Sequence, residues 1–193
     1  MKVVLIAGCS GAGKSLLARA LGSTTIEIDA YYWPQPEVPV DVRARTNYDH
    51  PESIEWALLE RDLRALRRGE AVTIPQYDFA LHTRKRTTAA IHPHGLIVVE
   101  GILALHRPEI RELADLKVFV ETASEACHTR RIERDTVERG RTAISVIEQY
   151  YETVLPMSAK YVLPSREYAD IIVSGDRPVE QAVMAIKRSL GCP

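Results

Sequence analysis

Gly8-Cys9-Ser10-Gly11-Ala12-Gly13-Lys14-Ser15 follows directly on an apolar run at residues 3–7. That order is the pattern of a phosphate-binding loop set between a strand and a helix. Glycines let the backbone turn its N–H groups inward around phosphate oxygens, so residues Gly8, Cys9, Ser10, Gly11, Ala12 and Gly13 bind through main chain. Lys14 supplies a point charge and Ser15 a hydroxyl for magnesium. The next helix, with Leu16, Leu17, Ala20 and Leu21 as its apolar positions, adds the positive end of its dipole. A dinucleotide loop fits less well, because Leu16 stands where that fingerprint needs Gly or Ala. The Lys14-Ser15 pair points to a nucleoside triphosphate; the bland alternative is a tight glycine turn with no ligand.

Two acids at strand ends add to this. Glu100 closes the apolar run at residues 96–99, and Asp29 closes the run at residues 26–28. Ligands of open α/β sheets bind at the carboxyl ends of strands, so both acids are expected to face the crevice of the glycine loop. Glu100 suits a magnesium ion, and Asp29 is placed to accept the proton of an attacking hydroxyl. Either could instead cap a turn. Arg130, Arg131, Arg134, Arg139 and Arg141 form a third group. On one helix several of these guanidinium groups can converge on phosphate oxygens. Glu133, Asp135 and Glu138 intersperse them, so a salt-bridged surface helix competes with a closing lid over residues 130–142.

The elements that must carry these residues are short apolar runs alternating with helical patterns. Strands are expected at residues 2–7, 25–28, 72–74, 96–99, 117–121 and 170–173, and the continuous runs suit strands buried on both faces of a parallel sheet. Helices are expected at residues 51–68, with Pro51 in the first turn, and at 124–139, 143–155 and 178–190. Arg139-Gly140-Arg141 reads as a hinge. Residues 31–39 are irregular because of Pro34, Pro36 and Pro39.

The 193 residues, 46% hydrophobic, fit one domain over residues 1–193 with a small insertion. A net charge of -1 argues against a general nucleic-acid binder. Cys9, Cys127 and Cys192 lack metal spacing, which predicts a reduced, cytoplasmic chain. The apolar run that passes straight into the glycine loop is not the pattern of a signal peptide, and no apolar window is long enough to span a membrane.

Five separated segments, and a long sixth, resemble the uridine kinase (uridine-cytidine kinase) family. They are residues 8–15; Asp29-Ala30-Tyr31-Tyr32; Asn47-Tyr48-Asp49-His50-Pro51-Glu52; Pro75-Gln76-Tyr77-Asp78-Phe79 with His82-Thr83-Arg84; and Val99-Glu100-Gly101-Ile102-Leu103. The sixth runs from Arg130 through Glu138-Arg139-Gly140-Arg141 and Val146-Ile147-Glu148-Gln149-Tyr150 to Tyr168-Ala169-Asp170. The resemblance implies an α/β fold of phosphate-loop kinase type, with a β-hairpin insertion at about residues 74–91 and an arginine-rich lid. It implies ATP, with GTP as an alternative donor, and magnesium surrounded by Ser15, Asp29 and Glu100. Asp29 would activate the ribose 5′-hydroxyl. Asp49, Arg131 and Gln149 would hold the ribose, Tyr77 and His82 the pyrimidine, and Arg134, Arg139 and Arg141, with Lys14, the phosphates. The family is commonly a tetramer, so a homo-oligomer acting on a small nucleoside is expected, without nucleic acid or membrane.

Chemistry agrees with these assignments in its own terms. A carboxylate accepts two hydrogen bonds from a vicinal diol, and Tyr77 and His82 offer ring faces and polar edges; a strand Tyr can equally be packing and a lone His a surface residue. The chain departs from the family at Tyr31, where Phe is usual, at Ser124, where an acid is common, and at Trp33-Pro34-Gln35-Pro36 after the proposed base, which bears on acceptor choice. Competing readings are a kinase of the same fold acting on another acceptor, such as phosphoribulose or a pantothenate precursor, and a nucleotide-binding domain without catalysis. A guanine-nucleotide switch would need an Asn-Lys-x-Asp segment, which the sequence lacks.

Overall fold

A computed structural model describes residues 1–191; Cys192 lies outside them. Strands β1 (Lys2–Ala7), β2 (Thr24–Glu27), β5 (Leu96–Glu100), β6 (Leu116–Glu121) and β7 (Ile171–Ser174) form one sheet in the order β2-β5-β1-β6-β7. Every neighbouring pair is parallel. Residues 3–7 of β1 are wholly buried, as a central strand covered on both faces requires. The remaining strands, β3 (Val72–Asp78) and β4 (Thr83–Ile91), pair antiparallel as a separate hairpin. The run at residues 72–74 is therefore not part of the main sheet. Pro75 sits where the hairpin register shifts, since it cannot donate to a ladder.

Helices α1 (Lys14–Ala20) and α8 (Val179–Ser189) contribute Leu17, Ala18, Ala182 and Ile186 to one core, against Val4, Ile6 and Val98. Helix α3 (Trp56–Arg67) contributes Leu59, Leu63 and Leu66 to the other, with Val3, Leu5, Ile97 and Val99. Short helices α2 (Val40–Arg43) and α4 (Pro108–Arg111) lie in the connections. Helix α5 (Ser124–Val137) precedes α6 (Ala143–Gln149), with Gly140 between them at φ 65. Among the described residues no helix is long and apolar enough to cross a membrane.

Two helices differ from expectation. Pro51 does not open α3: residues Pro51–Ser53 form a separate 3-10 turn, and Ile54 is extended and bridges Tyr32. The Ser53 hydroxyl donates to the carbonyls of Tyr48 and His50, and the Trp56 indole donates to the Pro51 carbonyl at 2.7 Å, so local side chains hold the break. After α6 the helix does not stop near residue 155. It widens into π turns at Tyr150–Val154 and Ser158–Val162 around α7 (Leu155–Met157), and ends in the 3-10 turn Leu163–Tyr168. Pro156 lacks the N–H that a regular turn needs, and the wider turns absorb its ring.

Tyr31 shows what its hydroxyl is for. The ring is fully buried, and the hydroxyl donates to Asp62 Oδ2 at 3.1 Å, a carboxylate that is itself buried on α3. Tyr31→Phe should therefore lower unfolding free energy by about 1–3 kcal/mol, read as a lower urea midpoint at unchanged slope.

Candidate active site

The loop after β1 packs with its back against two other elements. A Cβ on Gly11 would stand 2.2 Å from the Cys127 carbonyl oxygen of α5, and φ there is +84. Gly8, at φ +147, would meet the Val120 oxygen of β6 at 2.5 Å. Main chain can come this close only without side chains. On the other side Ser10, Lys14 and Ser15 line a cleft of about 920 Å³, open mouth included; Gly8, Cys9, Gly11, Ala12 and Gly13 do not line it with side chains. Lys14 Nζ donates to the Cys9 carbonyl at 2.9 Å, and Ser15 Oγ donates to Glu100 Oε1 at 2.6 Å. Burial pulls the Lys14 ammonium below its ordinary range, with Glu100 and then Asp29 opposing that pull.

Sheet register brings the acids to this place. Ile6 lies opposite Glu100, and Glu100 opposite Glu27. Asp29 does not end β2, as the sequence suggested, but sits in the 3-10 turn Ile28–Tyr31 just beyond it. Ser15, Asp29 and Glu100 all line the cleft, together with Glu27, an acid missed in the sequence because it reads as an outward strand position. Burial, then Glu100 and Asp29, raises the Glu27 carboxyl. Among the described residues no three His, Cys, Asp or Glu side chains are grouped to hold a metal ion by themselves. One hydroxyl and two carboxylates are an all-oxygen donor set, which fits magnesium bound partly through phosphates and water.

Asp49, Tyr77 and His82 line the same cleft, with Tyr32, Tyr48 and Phe79. Tyr32 stands 4.9 Å from Tyr48 and 5.2 Å from Tyr77, centroid to centroid, and His82 stacks on Tyr48 at 5.8 Å. The turn of the hairpin fixes this wall: Asp78 Oδ1 accepts from the N–H groups of Ala80 and Leu81 at 2.9 and 3.0 Å, and His82 takes φ 49. Phe79, in the turn just past β3, meets Tyr77 edge to face at 5.2 Å. Burial raises the Asp49 carboxyl, against the pull of Arg131. Burial, then Arg141, lowers the His82 imidazole, so it is neutral near pH 7. Residues 33–36 do not line the cleft. They are tied down by Trp33 N–H to the Ser53 carbonyl at 3.0 Å and by the Thr83 hydroxyl on the Pro34 carbonyl.

Of the arginines, Arg131, Arg134, Arg139 and Arg141 line the cleft with Gln149. Arg130 does not: it turns to the Gly175 carbonyl and Asp176 at 3.1 and 3.2 Å. Arg131 donates to the Ser10 hydroxyl at 2.8 Å and to Gln149 Oε1 at 3.0 Å, and Arg141 donates to Gln149 Oε1 at 2.5 Å. Arg139 lies 3.9 Å over the Phe79 ring, joining the segment after α5 to the hairpin. Asp135, one of the acids that left a salt-bridged surface helix open as an alternative, is completely buried among these four arginines. Its spacing of four from both Arg131 and Arg139 was the available signal.

The profile of the Phosphoribulokinase / Uridine kinase family matches residues 38–181. The chain is 46% identical over 182 residues to the uridine kinase of Shewanella sp. (strain W3-18-1), covering 89% of this chain and 86% of that one. It is 44% identical over the same length to the uridine kinase of Shewanella amazonensis. In fold it is similar to a putative fructose transport system kinase from Silicibacter sp. TM1040, with TM-score 0.71, 19% identity and 89% of each chain covered. It is also similar to phosphoribulokinase from Rhodobacter spheroides, with TM-score 0.62, 18% identity, and 90% of this chain and 69% of that one covered.

Gly11→Ala should weaken binding of a fluorescent ATP analogue by about tenfold or more, because the loop must move off α5. Gly69→Ala, at φ +87 with open space around its Cβ, should cost about 1 kcal/mol of stability and leave that affinity unchanged.

Proposed function

The chain belongs to the phosphoribulokinase/uridine kinase family of ATP-dependent kinases, and from that premise we propose that it phosphorylates uridine and cytidine at the 5′-hydroxyl, giving their monophosphates in pyrimidine salvage. We read residues 1–193 as one kinase domain. The observation that carries the acceptor is the cleft itself: one wall is the phosphate loop and the arginines, the other the aromatic group Tyr32, Tyr48, Tyr77 and His82 beside the buried Asp49. A planar base and a ribose diol fit that second wall; a small sugar phosphate has no ring to stack there.

In this reading the backbone of residues 8–13 and Lys14 hold the triphosphate. Ser15, Asp29 and Glu100 would hold magnesium, which would neutralise charge on the phosphate oxygens. Asp49, with Arg131 and Gln149, accepts and orders the ribose hydroxyls, while Tyr77 and the neutral His82 grip the pyrimidine. Asp29 takes the proton of the 5′-hydroxyl as its oxygen forms a bond to the γ-phosphorus and the bond to the ADP oxygen breaks in line. Lys14, Arg134, Arg139 and Arg141 offset the charge on the transferring group.

Incubation with ATP, magnesium and a panel of nucleosides, sugar phosphates and vitamin precursors tests the proposal: uridine and cytidine should yield monophosphates, and turnover with another acceptor alone would overturn it. Asp29→Asn should lower kcat by about 100-fold or more with little change in ATP affinity. Because burial raises the Asp49 carboxyl, its charged form is lost in milder acid than for an ordinary carboxylate. The uridine KM should therefore begin to climb, as pH is lowered, at a higher pH than an ordinary carboxylate would give, and Asp49→Asn should show a KM raised by about tenfold without that rise.

A further inference from the structure

Asp135 lies at the centre of the lid and has no place in the steps above. It is 0% exposed, and four guanidinium groups surround it. Its Oδ1 accepts from Arg134 Nε at 2.9 Å and Nη2 at 2.7 Å, with Arg139 Nη1 at 3.4 Å. Its Oδ2 has Arg131 Nε at 3.7 Å and Arg141 Nη1 at 3.8 Å, but no hydrogen bond among the described residues. The Asp135 carbonyl also accepts the N–H of Arg141 at 3.1 Å, across the Gly140 turn.

Four guanidinium groups against the one Asp135 carboxylate leave a formal excess of three on this wall, which faces Glu27, Asp29, Asp49 and Glu100 across the cleft. Without any carboxylate these side chains would repel one another toward water; with several, their field would be cancelled. A single buried carboxylate fixes their directions and leaves most of their charge available. The unbonded Oδ2 matters too. The Arg131 and Arg141 side chains are held near it by charge alone, and their hydrogen bonds go to Ser10, Gln149 and the Ser145 carbonyl. Both can follow a ligand without breaking a bond to Asp135.

We propose that Asp135 is a positioning residue for phosphoryl transfer, the anionic hub that sets Arg134, Arg139 and Arg141 in place before the phosphates arrive. This rests on the kinase reading given above. Electrostatic stabilisation of a transition state depends on groups that need no reorganisation at the moment of reaction. Removing the hub should therefore strengthen ground-state attraction for a polyanion, since one negative charge is gone, and at the same time slow transfer, since the arginines lose their aim.

The parent, Asp135→Asn and Asp135→Glu are compared by thermal melting, by steady-state kinetics with uridine and ATP, and by calorimetric binding of inorganic tripolyphosphate. For Asp135→Asn we expect kcat to fall by about tenfold or more with the uridine KM within about threefold, and tripolyphosphate to bind at least about threefold tighter. A smaller fall in kcat, a larger change in KM, or tripolyphosphate binding that is unchanged or weaker overturns the proposal; a merely structural Asp135 would lose turnover and binding together. If the Asn variant does not fold, Asp135→Glu decides. It keeps the charge but displaces it by one methylene, and kcat should fall at least about fivefold; a smaller fall overturns the proposal. If the parent does not phosphorylate uridine, the acceptor reading fails, and the tripolyphosphate comparison still decides the role of Asp135.

Discussion

The register of three parallel strands is the constraint on which the rest depends. Glu27, Glu100 and Ile6 lie side by side across β2, β5 and β1, so the three strands end at one level. Whatever follows each strand is delivered to the same place: the glycine loop after β1, Glu100 itself on β5, and the Asp29 turn after β2. Burial on both sheet faces fixes that register. Residues 3–7 and 97–99 are fully buried, and a slip by one residue would turn Glu100 away from Ser15 and drive a carboxylate into the apolar core. The meeting of Ser15, Asp29 and Glu100 in one cleft is thus a consequence of hydrophobic packing several residues away.

What the strands assemble is electrically costly. Acids and bases share one partly enclosed cleft, and burial acts on each sign in its own direction, raising the carboxyls of Glu27 and Asp49 and lowering Lys14 and Arg139. Glu100 and Asp29 oppose the effect of burial on Lys14, and Asp135 opposes it on Arg139, where Arg134 adds to it. Such a site favours neither a lone anion nor a lone cation. A polyanion together with a divalent cation matches the layout, because the cation meets the acids while the polyanion meets the arginines.

The sheet and the loop were legible in the sequence because one physical rule, burial of a continuous apolar run, governs each strand, and because glycine spacing is a backbone requirement. What was hidden depended on tertiary partners. The run at residues 72–74 belongs to the hairpin expected at about residues 74–91, not to the sheet, because its mate is the antiparallel β4. Pro51 fell outside α3 because Ser53 and Trp56 bond to the turn before it, and the helix ran past Pro156 because π turns made room. Alternating charges on a helix left a surface reading open beside the lid, because only the return of Arg139 and Arg141 after Gly140 encloses Asp135. Tyr32 and Tyr48 come from segments distant from the hairpin, and nothing local in either marks them as one wall with Tyr77.

The two walls of the cleft are built on different foundations, and this separates the chemistry from the choice of acceptor. The phosphate wall stands on the central strands, where any change disturbs the core. The aromatic wall stands on the β3–β4 hairpin and the turns at residues 29–54, fastened by individual side-chain bonds. Arg84 donates to the Tyr31 carbonyl at 3.0 Å and pairs with Glu55 at 2.8 Å, while the Thr83 hydroxyl holds the Pro34 carbonyl. A hairpin attached in this way can exchange its inward side chains without moving a sheet strand. Arg139 over Phe79 is the point where the walls meet, a phosphate-side cation resting on a base-side ring.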